Sequence, residues 1–298
     1  MNFKQDNQKQ SKSPFPAEHW PDISRLWEQV GPPLRPSKED IEFINDAIGS
    51  LHDNNIPARA LILGVTPEMY HLPCLDKTKI LASDHTKAMI DDVWPGPRST
   101  AICTEWTTLP LLSGSREIVL CDGGIHLMTY PAEQRQLVRT LHRVVAIDGL
   151  CIFRLFVPPR EQETAEDVIK DLLEGRISNL NLLKLRLGMA LQEDTSRGVE
   201  LRKIWNTIRH AAPDFNQLAL QIGWPLKHLQ VINTYRNSPV RYYFMSVSDV
   251  RHLFCQDPGG FEFVKIYSPT YELGERCPTV VFRRVDLRHE NAPIENAP

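Results

Sequence analysis

The sequence lacks an excess of basic residues, since 34 Lys and Arg stand against 37 Asp and Glu and the net charge is −3. Nucleic-acid binders depend on basic side chains that neutralise phosphates, so this balance predicts no nucleic-acid partner. There is also no apolar run of the length that spans a bilayer. The first residues, MNFKQDNQKQSKS, contain no apolar segment typical of a secretory signal. We therefore expect a cytoplasmic protein without membrane contact.

Cysteine pairing and zinc-ligand spacing are missing as well. The six cysteines lie far apart and never form a Cys-x-x-Cys pair, at positions 74, 103, 121, 151, 255 and 277. This argues against a zinc ribbon and against a small disulfide scaffold. Several of them fall in or beside apolar runs, where a free thiol behaves as a small hydrophobic group. The sequence predicts no metal site and a reducing compartment.

Short apolar runs alternate with helical patterns between residues 56 and 158. The runs cover residues 60–63, 80–82, 100–103, 117–121 and 150–156. A continuous apolar run closed by a turn residue is typical of a buried parallel strand. Strands that alternate with helices predict a doubly wound, mostly parallel sheet with right-handed crossovers.

The segments on either side of this core differ from it. We expect disordered tails at 1–17 and 286–298 and an N-terminal helical segment at 18–55, where Ser37–Asp40 forms a capping box. Residues 159–258 carry one helical pattern after another, and 259–285 contain the last two strands. The helical insertion is predicted to cover the site as a lid. Alternatively, it enlarges the core or forms the interface of a homodimer.

Ligands of open parallel sheets bind beyond the carboxyl ends of the strands, so the residues that follow each strand are candidate binding residues. Gly64 and Thr66 follow the first strand, and Thr66-Pro67 predicts a helix start whose free N–H groups favour an anionic group. Asp84 follows the second strand, twenty positions after Gly64. An acid at this spacing accepts hydrogen bonds from ribose hydroxyls, although Asp84 can equally cap the following helix.

Two further strands end in candidate contacts. Glu105 and Trp106 follow the third strand, where a carboxylate can accept from an adenine amine and an indole can cover the ring. The alternative is a Trp that fills a gap under a loop. Asp122 and two glycines follow the fourth strand, where the backbone can pass close to a ligand or make an ordinary turn. Together these positions predict a nucleoside-containing cofactor. The Gly-x-Gly-x-x-Gly fingerprint of dinucleotide folds and the P-loop are both absent.

At this point the chain resembles the class I, Rossmann-like S-adenosylmethionine-dependent methyltransferases. The resemblance covers residues 56–157 and 260–284 and is carried by five segments: Leu61–Gly64, Leu81–Asp84, Glu105–Trp106, Ile118–Asp122 and Leu141–Gly149. It implies a seven-stranded sheet with the last strand antiparallel, and S-adenosylmethionine as the cofactor. It also makes Gly64, Thr66, Asp84, Glu105, Trp106 and Asp122 cofactor-binding residues.

The first motif departs from the family pattern because Gly64 is its only glycine. Thr66 would then replace some backbone contacts, and Arg35 would pair with the carboxylate of the donor. This departure keeps two alternatives open. One is an enzyme of the same fold that consumes the donor by cyclisation or elimination. The other is a catalytically silent cofactor-binding subunit.

Methyl transfer from a sulfonium is an in-line displacement, in which the protein chiefly aligns the acceptor and excludes water. A base is needed only where the acceptor loses a proton. His126 and Tyr130 are the candidate catalytic residues, and the alternative for His126 is a structural hydrogen-bond donor. No Asn-Pro-Pro-Tyr or Asp-Pro-Pro-Tyr follows the fourth strand, so the sequence does not indicate the class that methylates amino groups of nucleic acids. We expect a small or medium organic acceptor.

Overall fold

The computed structural model describes residues 19–52 and 58–286. In this part of the chain the strands are β1 (Ala60–Leu63), β2 (Ile80–Asp84), β3 (Ala101–Cys103), β4 (Arg116–Asp122), β5 (Val145–Arg154), β6 (Val199–Glu200), β7 (Arg241–Tyr242), β8 (Phe261–Tyr267) and β9 (Thr279–Arg284). The tails predicted for residues 1–17 and for 287–298 lie outside the described residues.

The α-helices flank these strands and fill the insertion. They are α1 (Trp20–Arg25), α2 (Lys38–Leu51), α3 (Pro67–Tyr70), α4 (Lys87–Asp92), α5 (Ala132–Val144), α6 (Ala165–Leu173), α7 (Leu180–Leu191), α8 (Leu201–Ala211), α9 (Phe215–Ile222), α10 (Leu226–Gln230) and α11 (Val247–Cys255). Short 3₁₀ helices cover Trp27–Gln29, Lys77–Lys79, Arg98–Thr100, Trp106–Thr108, Gly124–Leu127, Val231–Tyr235 and Gly274–Arg276. No helix of the described residues has the length and apolarity that crossing a membrane requires.

Seven of the strands form one sheet in the order β3-β2-β1-β4-β5-β9-β8. The first five are parallel, and β9 runs antiparallel to both of its neighbours. The interior strand β1 is apolar throughout and fully buried, because helices cover both faces of a parallel sheet. The predicted fold class, a mostly parallel seven-stranded sheet with the last strand antiparallel, is confirmed.

Local signals account for several of the element boundaries. The predicted capping box forms: Asp40 N–H donates to Ser37 Oγ, and the Asp40 carboxylate accepts from Ser37 N–H. α2 begins at Lys38, the residue after Ser37, as this motif predicts. β5 differs from the prediction, since it begins at Val145 rather than near residue 150 and ends at Arg154.

Three apolar clusters hold these layers together. Two of them cover the sheet, one on each face. The third lies within the helical insertion and includes Leu183, Ile204 and Leu229. α11 packs in a sheet cluster rather than in the insertion cluster, and the Phe254 ring stacks on Phe282 at 4.2 Å between centroids. The end of the predicted 159–258 segment therefore covers the sheet. The insertion proper is the α6–α10 cluster, which packs beside the N-terminal segment.

Candidate functional site

The candidate site is a cavity at the carboxyl ends of the parallel strands, with about 900 Å³ of space including its open mouth. One wall comes from the sheet. The residues of this sheet wall include Leu63, Gly64, Val65, Thr66, Asp84, Trp106, Asp122, Gly123 and Gly124. Five of the seven cofactor-binding residues predicted from the sequence thus lie together: Gly64, Thr66, Asp84, Trp106 and Asp122.

The opposite wall comes from the N-terminal segment and the insertion. The residues of this helical wall include His19, Trp20, Ile23, Trp27, Lys184, Tyr235 and Tyr242. Most of them present apolar or aromatic surface. Such a wall favours an organic ligand that is withdrawn from water.

The turn after β1 leaves room for a ligand at Gly64. Its φ is +95°, a conformation that residues with a side chain rarely adopt, and a Cβ added there would meet no atom within 4 Å. The predicted helix start is weaker than expected. α3 is a single turn, and the Thr66 side chain makes no capping hydrogen bond. Gly64 therefore supplies open space at the cavity, while a helix N-terminus contributes little.

Asp84 is nearly buried at the tip of β2, and its Oδ1 accepts from Thr86 N–H at 2.7 Å. The imidazole of His85 lies close by, with Nδ1 3.8 Å from Oδ1. The carboxylate thus orients the turn into α4, as the capping alternative predicted. Because a carboxylate offers about four acceptor positions, the bond from Thr86 is compatible with hydrogen bonds to a ligand.

Trp106 is fixed by two contacts. Its Nε1 donates to Ser83 O at 2.9 Å, and its ring lies so close to Gly124 that an added Cβ would come within 2.4 Å of it. The indole therefore forms a rigid flat surface beside the cavity. Glu105 differs from its neighbour, because it is exposed and does not line the cavity.

Asp122 forms a buried ion pair at the end of β4. Arg154 Nε lies 2.6 Å from Asp122 Oδ1, and neither side chain is more than 6% exposed. The same guanidinium donates to Pro33 O at 2.8 Å and lies 3.9 Å from Asp40. Burial raises the pKa of Asp122 to about 6, although the charge of Arg154 opposes this shift. Arg154 therefore connects Asp122 at the end of β4 to Pro33 and Asp40 of the N-terminal segment.

His126 lies outside the cavity lining and is fully buried. Its Nε2 accepts from Phe156 N–H at 2.8 Å, which places the proton on Nδ1, 3.0 Å from Tyr243 O. Burial lowers the pKa of this imidazole to about 4. Both ring nitrogens are thus committed to backbone groups, and the contacts match the structural alternative rather than a base.

Two other predicted residues also lie apart from the cavity lining. Tyr130 is half-buried against the cluster that contains α11. Arg35 lines a separate surface depression, where it pairs with Glu68 at 2.6 Å and lies 4.9 Å from the Trp27 ring centroid. Its guanidinium also donates to Trp27 O and Val30 O. An arginine with these partners is already neutralised.

Lys184 lines the cavity and was missed by the sequence reasoning. It is 2% exposed on α7, and its Nζ lies 4.8 Å from the centroid of the Tyr235 ring. Burial lowers its pKa to about 7. A signal was present in the sequence: Lys184 lies four residues after Leu180 and three before Leu187, on a helix that is apolar almost all round.

Comparisons with known proteins identify the fold. No family model matches the chain, and no curated protein matches it. A protein from Rhodobacter sphaeroides, provisionally assigned to the Zn-dependent alcohol dehydrogenases, has a TM-score of 0.56 at 15% identity, over 91% of this chain and 100% of that one. The CcbJ methyltransferase from Streptomyces caelestis has a TM-score of 0.51 at 11% identity, over 90% and 99%.

At such identities the likeness shows the fold alone. The sheet order and the antiparallel β9 are those of the class I S-adenosylmethionine-dependent methyltransferase fold. The fold does not determine the reaction, because one of the two similar proteins is named as an alcohol dehydrogenase and the other as a methyltransferase. Within residues 19–52 and 58–286, no group of three or more His, Cys, Asp or Glu side chains is arranged to hold a metal ion.

Proposed function

We propose that the protein is an S-adenosylmethionine-dependent methyltransferase that acts on a small or medium organic acceptor. One observation carries the proposal: residues at or just after the carboxyl ends of four separate strands line one cavity, in a sheet with the methyltransferase strand order. The similarity in fold to a protein named as a methyltransferase supports the reaction class.

The residues of the sheet wall suit the parts of the proposed cofactor. Asp84 would accept from the ribose hydroxyls, and Trp106 would cover the adenine ring with its fixed indole. Gly64 offers open space past which the chain of the cofactor would run. Thr66 and Asp122 line the same cavity. Glu105 and Arg35 are not among the proposed contacts, because neither lines this cavity.

S-adenosylmethionine, when bound, supplies an electrophilic methyl group on a sulfonium. The residues of this chain would then align the acceptor and exclude water. Trp20, Ile23 and Trp27 close the cavity with apolar surface. No general base is assigned to His126, because both of its nitrogens are engaged and its pKa is low. The reaction as proposed relies on alignment more than on proton transfer.

The helical wall supports the proposed acceptor class. A cavity lined with aromatic side chains fits an organic molecule of modest size better than an exposed protein segment. A homodimer and a cytoplasmic location stay predictions.

Calorimetric titration with S-adenosylmethionine and S-adenosylhomocysteine tests the proposal. Both should bind the wild-type protein. Asp84→Asn should weaken binding roughly tenfold to a hundredfold, which corresponds to about 1.5–3 kcal/mol for lost charge-assisted hydrogen bonds. The amide oxygen still accepts from Thr86 N–H, so the fold is retained. Glu105→Gln is the matched control and should change the dissociation constant less than twofold.

The products separate the proposed reaction from its alternatives. Release of S-adenosylhomocysteine with an acceptor panel supports methyl transfer. Release of another sulfur nucleoside would indicate cyclisation or elimination. Binding without turnover across the panel would favour a silent cofactor-binding subunit. If neither compound binds the wild-type protein, the proposal is wrong.

A further inference from the structure

A lysine without a counter-ion lies on the helical wall of the cavity. Lys184 is more than nine-tenths buried and contributes to the cavity lining. Its contact partner is the ring of Tyr235, and within residues 19–52 and 58–286 it forms no ion pair. Burial lowers the pKa of Lys184, and no acidic side chain of the described ranges contributes to this shift.

Two arginines near the cavity differ from Lys184 in having an acidic partner. Arg35 is paired with Glu68, and Arg154 is paired with Asp122. Among the described residues that line the cavity, Lys184 is the only Lys or Arg. An uncompensated ammonium group is costly to bury, and a ligand carboxylate in the same cavity would supply the missing charge.

We propose that Lys184 binds a carboxylate group of the ligand that occupies this cavity. The proposal rests on the proposed function for the identity of that ligand. The carboxylate belongs either to the methionine part of S-adenosylmethionine or to an acidic acceptor. The chemistry is the same in both cases: an ammonium–carboxylate pair in apolar surroundings.

The surroundings of Lys184 favour such a pair. Tyr235 lies beneath the ammonium and hydrogen-bonds to Tyr242, and the ring of His19 meets Tyr235 edge-on at 5.6 Å between centroids. Burial raises the pKa of both tyrosines, so they stay neutral near pH 7. The other titratable groups that line the cavity, Asp84, His85 and Asp122, belong to the sheet wall.

The test compares ligands that differ only in the carboxylate. For the donor, the pair is S-adenosylhomocysteine and S-adenosyl-3-thiopropylamine, its decarboxylated form. For the acceptor, the pairs are benzoate, 2-naphthoate and indole-3-acetate, each with its neutral amide. Dissociation constants are measured by calorimetry at pH 7 for the wild type, Lys184→Met and Lys184→Arg.

The test has a donor arm and an acceptor arm, named after the ligands compared. In at least one arm the wild type should bind the carboxylate form at least tenfold more tightly than the form without it. This preference should fall to about twofold in Lys184→Met and return in Lys184→Arg, which keeps the charge. In the acceptor arm, carboxylate affinity should also weaken above pH 7, approaching tenfold per pH unit as Lys184 loses its proton. The affinity of Lys184→Arg should not change with pH in this range.

The two arms decide where the carboxylate comes from. Loss confined to S-adenosylhomocysteine assigns Lys184 to the donor, and loss confined to the aromatic acids assigns it to the acceptor. A carboxylate preference that is unchanged in Lys184→Met, or absent from the wild type, overturns the proposal. The outcome is separable from the proposed function. If aromatic acids bind through Lys184 but S-adenosylhomocysteine does not bind, only the proposed methyltransferase function is wrong. If S-adenosylhomocysteine binds but no carboxylate preference depends on Lys184, only the Lys184 proposal is wrong.

Discussion

The two walls of the cavity differ in how their polar groups are satisfied. On the sheet wall, Asp84 is bound to Thr86, Trp106 to Ser83 and Asp122 to Arg154. On the helical wall, Lys184 has an aromatic ring beneath it and no counter-ion in the described part of the chain. The sheet wall is therefore a preorganised surface, whereas the helical wall contains a buried lysine that is not paired with an acid of the described residues.

The largest expected effect tests the pairing on the sheet wall. Arg154→Met should lower the free energy of unfolding by about 3–5 kcal/mol, because it leaves the buried Asp122 without its partner. Urea unfolding monitored by circular dichroism measures this change. Arg25→Met is the matched control, since its pair with Asp22 is exposed, and it should cost about 0–1 kcal/mol. Equal losses for both variants would contradict the comparison.

The opposite sign is expected on the helical wall. Lys184→Met should raise the free energy of unfolding at pH 7 by about 2–3 kcal/mol, because it removes an ammonium whose burial is not compensated. The same urea measurement applies. A destabilised Lys184→Met would show that the lysine has a structural partner after all.

The pH dependence sharpens this second prediction. Below pH 7 Lys184 is protonated in both states, and the folded protein bears the full cost of burial. Between about pH 7 and 10.5 the folded lysine is neutral while the unfolded one stays charged, so wild-type stability rises with pH. The advantage of Lys184→Met should therefore shrink by about 1 kcal/mol per pH unit between pH 7.5 and 9.

The smallest expected effect concerns the rigidity of the sheet wall. Gly123 has φ +64°, and a Cβ there would come within 2.3 Å of the Phe156 ring. Gly175 has a similar φ of +71° with open space around it. Gly123→Ala should therefore destabilise the protein by roughly 1–2 kcal/mol more than Gly175→Ala, because only the former adds a clash to the backbone strain. Equal thermal unfolding midpoints would contradict this account.

Some of the predicted site residues line the cavity and others do not. Gly64, Asp84, Trp106 and Asp122 were predicted to lie together because each follows a strand, and they do. Glu105, the residue before Trp106, is exposed and does not line the cavity. His126 was expected to face the cavity. Its ring instead bonds to the backbone of Phe156 and of Tyr243. His126 and Tyr243 are 117 positions apart, so no local pattern contains this contact.

The sequence by itself determined the sheet. Apolar runs closed by turn residues encode the strands locally, and the rule that parallel strands end at one edge converts chain order into a shared site. Only the tertiary structure decided which charges are neutralised. The sequence does not indicate whether an acid from another segment reaches Arg35, Arg154 or Lys184. The physical reason is that ion pairing depends on distances of a few ångströms, which are set by packing between segments that are remote in sequence.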